Sequence, residues 1–593
     1  MTLAIKTGLL TKKYKQNLAV QNVTISIQKG EIFGLLGPDG AGKTTLTKML
    51  CSVLLPTSGT GTVAGHDIVR DNQQLRGKIG YMSEGFSLYG SLSVDENIEF
   101  FADMYQVSAA DREIRKKKLL AASRLDAFTS RKADHLSGGM KKKLALCCTL
   151  IYQPEIIFLD EPTTGVDPLS RRDFWNILHD YVTDGTTVFV CTPYMDEAER
   201  FHRVALMHEG EVIAVDTPYQ IKQEVAHKLK KQSVTLEEAF IFHIEQKLVR
   251  KQEKEIQKVE AEGDQKEKMV LLKNRPKIRV PHEEIAVEVN DLTRTFGSFT
   301  AVNHINFSVQ KGEIFGFLGP NGSGKSTTIR MMCGLLPVSA GNMHIAGVDV
   351  RRSARLVKKK IGYMSQKFSL YNDLTVEENI RFFAGAYGLN KKEFENRKAW
   401  ILEMSDLVGK ERLLTSDLSG GWKQRLALGC ATIHQPEILF LDEPTSGVDP
   451  IARRQFWNLI NHLAAEGVTV FVTTHYMDEA EHCDRIGFIF NSNLIAIGSP
   501  EQLKDELFAG YLLELECDWP FAAQKWLSDK GVEASVFGNG LHVFPTGMSF
   551  VEVVELVTNE GFHIRRQSEI PVSMEDVFVK LVEKQLKREE VSI

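Results

Sequence analysis

Two strings in this chain of 593 residues have the residue types and spacing of a phosphate cradle. One is Gly319-Pro-Asn321-Gly322-Ser-Gly324-Lys325-Ser326; the other is Gly37-Pro-Asp-Gly40-Ala-Gly42-Lys43-Thr44. Glycines let backbone N–H groups turn inward around a polyphosphate, and a helix N-terminus behind them adds partial positive charge. Lys325 and Lys43 have the reach to neutralise β- and γ-phosphates, and the Ser326 and Thr44 hydroxyls can sit on Mg²⁺. Two carboxylate pairs, Asp160-Glu161 and Asp442-Glu443, each close an apolar run. There the first carboxylate can hold Mg²⁺ through water and the second can polarise an attacking water. A third matched pair, Ser137-Gly138-Gly139 and Ser419-Gly420-Gly421, precedes helix-forming segments. It supplies hydroxyl, flexible backbone and dipole for a second anion contact, although taken alone it is no more than a helix N-cap.

Such groups work only if strands and helices present them. Each phosphate string follows an apolar run (Ile314 to Leu318; Ile32 to Leu36) and leads into a helical pattern, the strand–turn–helix context the chemistry needs. The chain is an internal duplication: Lys43 and Lys325, Ser137 and Ser419, Glu161 and Glu443, and Pro193 and His475 are all 282 residues apart. Short continuous apolar runs, Ile156 to Leu159 with Thr187 to Val190 and Ile438 to Leu441 with Thr469 to Val472, predict buried parallel strands. Helical stretches over about 95–130 and 377–412 predict an insertion into each α/β core. Past the second unit the pattern is strand, helix, two strands around Gly538-Asn-Gly540, helix, strand, which predicts a small ferredoxin-like α+β domain. Within it Phe508 to Leu515 and Trp519 read as core. The expected division is 1–242 for unit one, 243–283 for a charged linker with a helical start, 284–507 for unit two and 508–593 for the small domain.

Composition narrows the function. With 43% apolar and 25% charged residues and a net charge of −5, nothing marks a nucleic-acid binder by bulk electrostatics. The eight cysteines form no C-x-x-C pair and no metal-ligand spacing, so free thiols are expected and no structural metal. No apolar run approaches the ~18–20 residues that span a bilayer, so a membrane role requires a channel on another chain.

In the order phosphate loop, Leu-Ser-Gly-Gly, Leu-Asp-Glu-Pro, Gly-Val-Asp-Pro and Thr-Thr-His, the motifs resemble those of ABC-type ATPases, and they do so in both units. The wording from Asp442 to Pro450 and from Ile361 to Tyr371 is similar to ATP-binding subunits of ABC-2-type exporters, in a fused two-unit form. The resemblance implies ATP and Mg²⁺ as cofactors and a head-to-tail pairing, each site combining one unit's phosphate loop with the other's Ser-Gly-Gly. It implies that Tyr14 and Phe296 stack on adenine and that Thr45 and Thr327 join the phosphate-binding residues. Gln366 would contact the metal and His475 the γ-phosphate, with Glu443 and Glu161 polarising water. Gly165-Val-Asp167 and Gly447-Val-Asp449 would link the two sites. The Gln366 region would receive a helix from a membrane partner. The implied partners are separate permease chains, two by stoichiometry, with this chain peripheral on the cytoplasmic membrane face.

The two sites depart differently from the family pattern. Site two, with Lys325, Ser326, Gln366, Asp442, Glu443 and His475, lacks only the usual glutamine at Met140 in the opposite unit. Site one has Glu84 for the glutamine and Pro193 for the histidine. Proline offers neither a side-chain donor nor an N–H, so site two is expected to hydrolyse and site one mainly to bind. A soluble tandem ATPase acting on ribosomes shares the two-unit layout and is the rival expectation. The mixed Lys and Glu of the tether fits it less well than a uniformly basic arm would.

Overall fold

The structure is a computed structural model; it describes the chain except residues 1, 16, 86–87, 165, 167, 232–233, 260–283, 367–368, 447, 449, 475, 509–510, 518, 538–539, 545–547 and 592–593. His475, Gly165, Asp167, Gly447, Asp449, the tether after Val259 and the first two residues of the Gly538–Gly540 turn therefore lie outside the described residues.

Each unit is built on a six-stranded sheet. In unit one the strands run across it in the order Glu211–Asp216, Arg203–His208, Ile32–Leu36, Thr187–Thr192, Ile156–Asp160 and Ile79–Met82. All neighbours are parallel except the first pair. The three central strands are buried at every residue, which is why they read as unbroken apolar runs rather than alternating ones. Unit two repeats the order with Asn493–Gly498, Arg485–Phe490, Ile314–Leu318, Thr469–Thr474, Ile438–Asp442 and Ile361–Met364. Helical insertions begin on capping boxes: Ser93 with Glu96 opens Val94–Met104, and Thr375 with Glu378 opens Val376–Tyr387.

The C-terminal domain has the expected β-α-β-β-α-β order, and its antiparallel strands lie as Glu533–Phe537, Gly540–Phe544, Tyr511–Cys517 and Ile564–Pro571. Leu512, Leu513 and Leu515 are buried as expected. Trp519 corrects that reading, since it is 67% exposed. It stands at φ 62 immediately before the helix Pro520–Asp529, and the left-handed turn swings the ring off the core. The helix Leu236–Val259 runs on through residue 242, and Ile244 belongs to the unit-one core.

Contacts between the units are specific. Tyr194 and Tyr476 share a hydroxyl–hydroxyl hydrogen bond of 2.7 Å, and the Arg453 guanidinium lies 5.6 and 4.9 Å from the two rings. The last helix, Met574–Val591, packs Phe578 on Phe488 of unit two and reaches unit one. There Arg200 Nη2 donates to Glu575 Oε1 at 2.8 Å and Arg172 Nη1 to Glu583 Oε1 at 3.4 Å. Arg566 of the same domain stacks 3.9 Å over Tyr219 of unit one.

Candidate active site

In both units the strand Ile32–Leu36 or Ile314–Leu318 delivers the glycine string to the start of a helix, Lys43–Leu50 or Lys325–Met332. Glycine is required at the last turn position. Gly42 has φ 104 and Gly324 φ 112, and an added Cβ would meet the Ala19 carbonyl at 2.2 Å or the Ala301 carbonyl at 2.4 Å. Lys43 Nζ donates to the Gly37 and Pro38 carbonyls at 2.7 and 3.1 Å, and Lys325 Nζ to those of Gly319 and Pro320 at 2.7 and 3.0 Å. Both ammonium groups are thereby folded over the mouth of their loops, where a polyphosphate would meet them. Ser323 adds a hydroxyl that is buried within the unit-two loop and has no hydrogen-bond partner among the described residues. An orphaned donor beside a glycine turn fits a phosphate ligand.

The metal-side residues converge as well. In unit two Ser326 Oγ donates to Asp442 Oδ1 at 2.9 Å, and Gln366 Nε2 donates to Glu443 Oε2 at 2.8 Å. The other oxygen of Glu443 lies 3.6 Å from Lys325 Nζ. The Ser326 hydroxyl and the Asp442 carboxylate are oxygen donors of the kind Mg²⁺ takes, with the Gln366 amide nearby. Burial raises the pKa of Asp442, against hydrogen bonds from Thr473 and Ser326. In unit one Thr44 Oγ1 donates to Asp160 Oδ1 at 3.2 Å, and burial likewise raises Asp160. Burial pushes Glu161 up to about 7; Lys43 opposes that rise while Asp39 and Glu84 add to it.

Of the residues expected from sequence, the structure brings Lys325, Ser326, Gln366, Asp442 and Glu443 together in one place, and Lys43, Thr44, Asp160 and Glu161 in another. Thr45 and Thr327 sit in the first helical turns. Tyr14 and Phe296 end the strands Leu3–Tyr14 and Ile285–Phe296, half-exposed, with Lys12 and Arg294 over their rings. Ser137 accepts from Met140 N at 3.3 Å and so caps its own helix, whereas Ser419 makes no cap bond.

Four further differences between the units surround the sites, and a comparison at constant offset beyond the motifs would have exposed them. Asp39 stands where unit two has Asn321, and Ala41 where it has Ser323. Cys191 stands where unit two has Thr473, and Lys142 where it has Gln424. Lys142 is buried; its ammonium donates to the carbonyls of Glu84 at 2.9 Å and Glu161 at 3.1 Å. Burial lowers its pKa, against Glu84, Glu161 and Asp160. Gln424 instead donates to the Pro444 carbonyl at 2.5 Å. Site one has thus gained two carboxylates and lost two hydroxyls relative to site two, with a buried cation tying the Glu84 loop to the strand end.

The profile of the ABC transporter family matches residues 20–164 and 302–446. A probable multidrug ABC transporter ATP-binding protein of Escherichia coli, YbhF, is 42% identical over 533 residues, covering 82% of this chain and 91% of its own. The Nod factor export ATP-binding protein I of Rhizobium etli is 35% identical over 304 residues, 51% of this chain and 95% of its own. The linearmycin resistance ATP-binding protein LnrL of Bacillus subtilis is 40% identical over 230 residues, 39% of this chain and 74% of its own.

Proposed function

This chain belongs to the ATP-binding proteins of ABC transporters, and on that premise we propose that it is the ATPase subunit of an exporter whose channel lies on separate membrane chains. Among the described residues no helix is long and apolar enough to cross a membrane, which supports assigning the channel elsewhere. The proposal places the chain on the cytoplasmic face, with two permease chains as partners and the domain division given above.

Its second part is that hydrolysis belongs to the unit-two loop and binding alone to the unit-one loop. The observation that carries it is the Gln366–Glu443 hydrogen bond of 2.8 Å with Lys325 on the far oxygen of Glu443. An amide donor and a cation orient that carboxylate. In unit one the matched pair is Glu84 and Glu161, two carboxylates that cannot bond to each other unless one is protonated. Pro193 cannot supply the γ-phosphate contact that His475 offers.

In this reading Tyr14 and Phe296 bind adenine. Gly37, Gly40, Gly42, Gly319, Gly322, Gly324 and Asn321 form the phosphate cradles, and Lys43 and Lys325 neutralise the phosphates. Ser137, Gly138 and Gly139 would close site two, and Ser419, Gly420 and Gly421 site one. Mg²⁺, held by Ser326, Asp442 and Gln366 or by Thr44 and Asp160, supplies charge neutralisation on the phosphates when bound. Glu443 polarises the attacking water. Losing one donor that stabilises such a transition state typically costs ~10²–10³ in rate.

The test is a pair of variants in the full chain. Glu443→Gln should abolish ATPase activity, and Glu161→Gln should leave most of it. The reverse pattern would sink the assignment, and a chain that co-purified with ribosomes and no membrane protein would sink the exporter.

A further inference from the structure

Glu443 is held in a costly backbone conformation. Its φ is 48, as Glu161 has φ 49, in the left-handed region where a residue with a side chain stores roughly 1–3 kcal/mol and stays only because its surroundings hold it there. In unit two part of what holds it is Thr473, which pairs with Asp442 across the parallel strands and is fully buried. The Glu443 N–H is shared between the Thr473 carbonyl at 3.0 Å and the Thr473 hydroxyl at 3.1 Å. The same hydroxyl donates to Asp442 Oδ1 at 2.8 Å, the oxygen that Ser326 also reaches. One side chain thus bonds both the first carboxylate and the backbone N–H of the second, adding to the main-chain bond that both units share.

Unit one lacks this device. Cys191 holds the matched position, paired with Asp160 across the strands and equally buried. The Glu161 N–H keeps the Cys191 carbonyl at 2.8 Å, but the thiol lies 2.9 Å from the Thr47 hydroxyl. Asp160 Oδ1 has the Thr44 hydroxyl at 3.2 Å, a longer bond than either that Asp442 receives.

We infer that Thr473 is a positioning residue of the unit-two site: its hydroxyl aims Asp442 and seats Glu443, and Cys191 leaves the unit-one pair without that support. This rests on unit two being the hydrolytic site. Groups that orient metal-binding carboxylates typically contribute 10–100-fold to metal affinity or activity.

The experiment compares Thr473→Val, which keeps the shape and removes the hydroxyl, with Thr473→Ser, which keeps the hydroxyl. In the nucleotide-free full chain, amide exchange across residues 438–446 should quicken in T473V and match wild type in T473S. In the ATPase assay T473V should lose 10–100-fold in kcat and need more Mg²⁺ for half-saturation, and T473S should stay within about two-fold of wild type. Unchanged exchange and Mg²⁺ dependence in T473V would overturn the inference. So would equal damage by T473S, because packing and not the hydroxyl would then matter. If T473V does not fold, Thr473→Cys takes its place, being the residue the other unit already accommodates, and the same outcomes decide. Glu443→Gln in the same assay separates the two failures. If it leaves ATPase activity intact, the reading of unit two has failed. If it abolishes activity while T473V is silent, only the role of Thr473 has failed.

Discussion

Acidification should loosen the seam between unit one and the C-terminal domain. His179 and His202 line a cavity of about 870 Å³ there, opposite Trp519 and Arg565. Burial pulls His179 down to about 3, with His202 and Arg200 adding their positive fields. Burial and Arg565 pull His202 down to about 4, and its Nδ1 accepts the Ile32 N–H at 3.0 Å, a bond only the neutral ring makes. Exposed imidazoles titrate near ~6.5, so the closed seam binds fewer protons than the open one. Its stability is complete above that pH and is lost as pH falls toward 4. Arg565 acts on His202 from across the seam, so at pH 5 full release of that ring is worth up to about 2 kcal/mol. A multidomain chain does not unfold in one step, so the seam is best read by amide-exchange protection of Ile564–Pro571 and not by a global melt. Between pH 7.5 and 5 that protection, corrected for intrinsic exchange, should fall by up to roughly thirtyfold. The double variant H179Q/H202Q should remove most of the pH dependence. An unaltered slope in that variant would refute the reasoning.

Two more expectations concern buried cations. Lys142→Met takes the donor from the Glu84 and Glu161 carbonyls and should cost about 2–3 kcal/mol locally. Thiol labelling of a cysteine placed at Ser83 should quicken, and equal labelling in both proteins would count against the tie. Arg200→Ala leaves Glu575 without its partner across the seam and should destabilise docking of the last helix by about 3 kcal/mol or more. Limited proteolysis reads this as earlier release of the C-terminal domain, and an unchanged digestion pattern would show that the ion pair contributes little.

The phosphate loops, the strand-end carboxylates and the α/β layering were legible because each is a local pattern: a turn that needs glycine, or a run that needs burial on both faces. The succession of strands and helices in the small domain was legible for the same reason. What escaped depends on register between distant segments. Thr473 matters because it lies opposite Asp442 across two strands, and Lys142 because its helix passes under two carbonyls. Neither pairing leaves a local mark, although both positions differ between the repeats. Trp519 was misread because an apolar ring was equated with core, when a left-handed residue before a proline sets its direction.

The contact between Tyr194 and Tyr476 joins residues 282 positions apart, the same interval that relates the two units. In a dimer of identical subunits this would be one tyrosine meeting its own copy across a twofold axis, an isologous contact. Every substitution there, or at any matched position, would occur in both halves together. Covalent fusion lifts that constraint. A proline in one half no longer obliges a proline in the other, and a loss that would silence a symmetric pair outright becomes a specialisation of one member. The hydrogen bond between the matched tyrosines ties the two halves to each other while their sequences differ elsewhere.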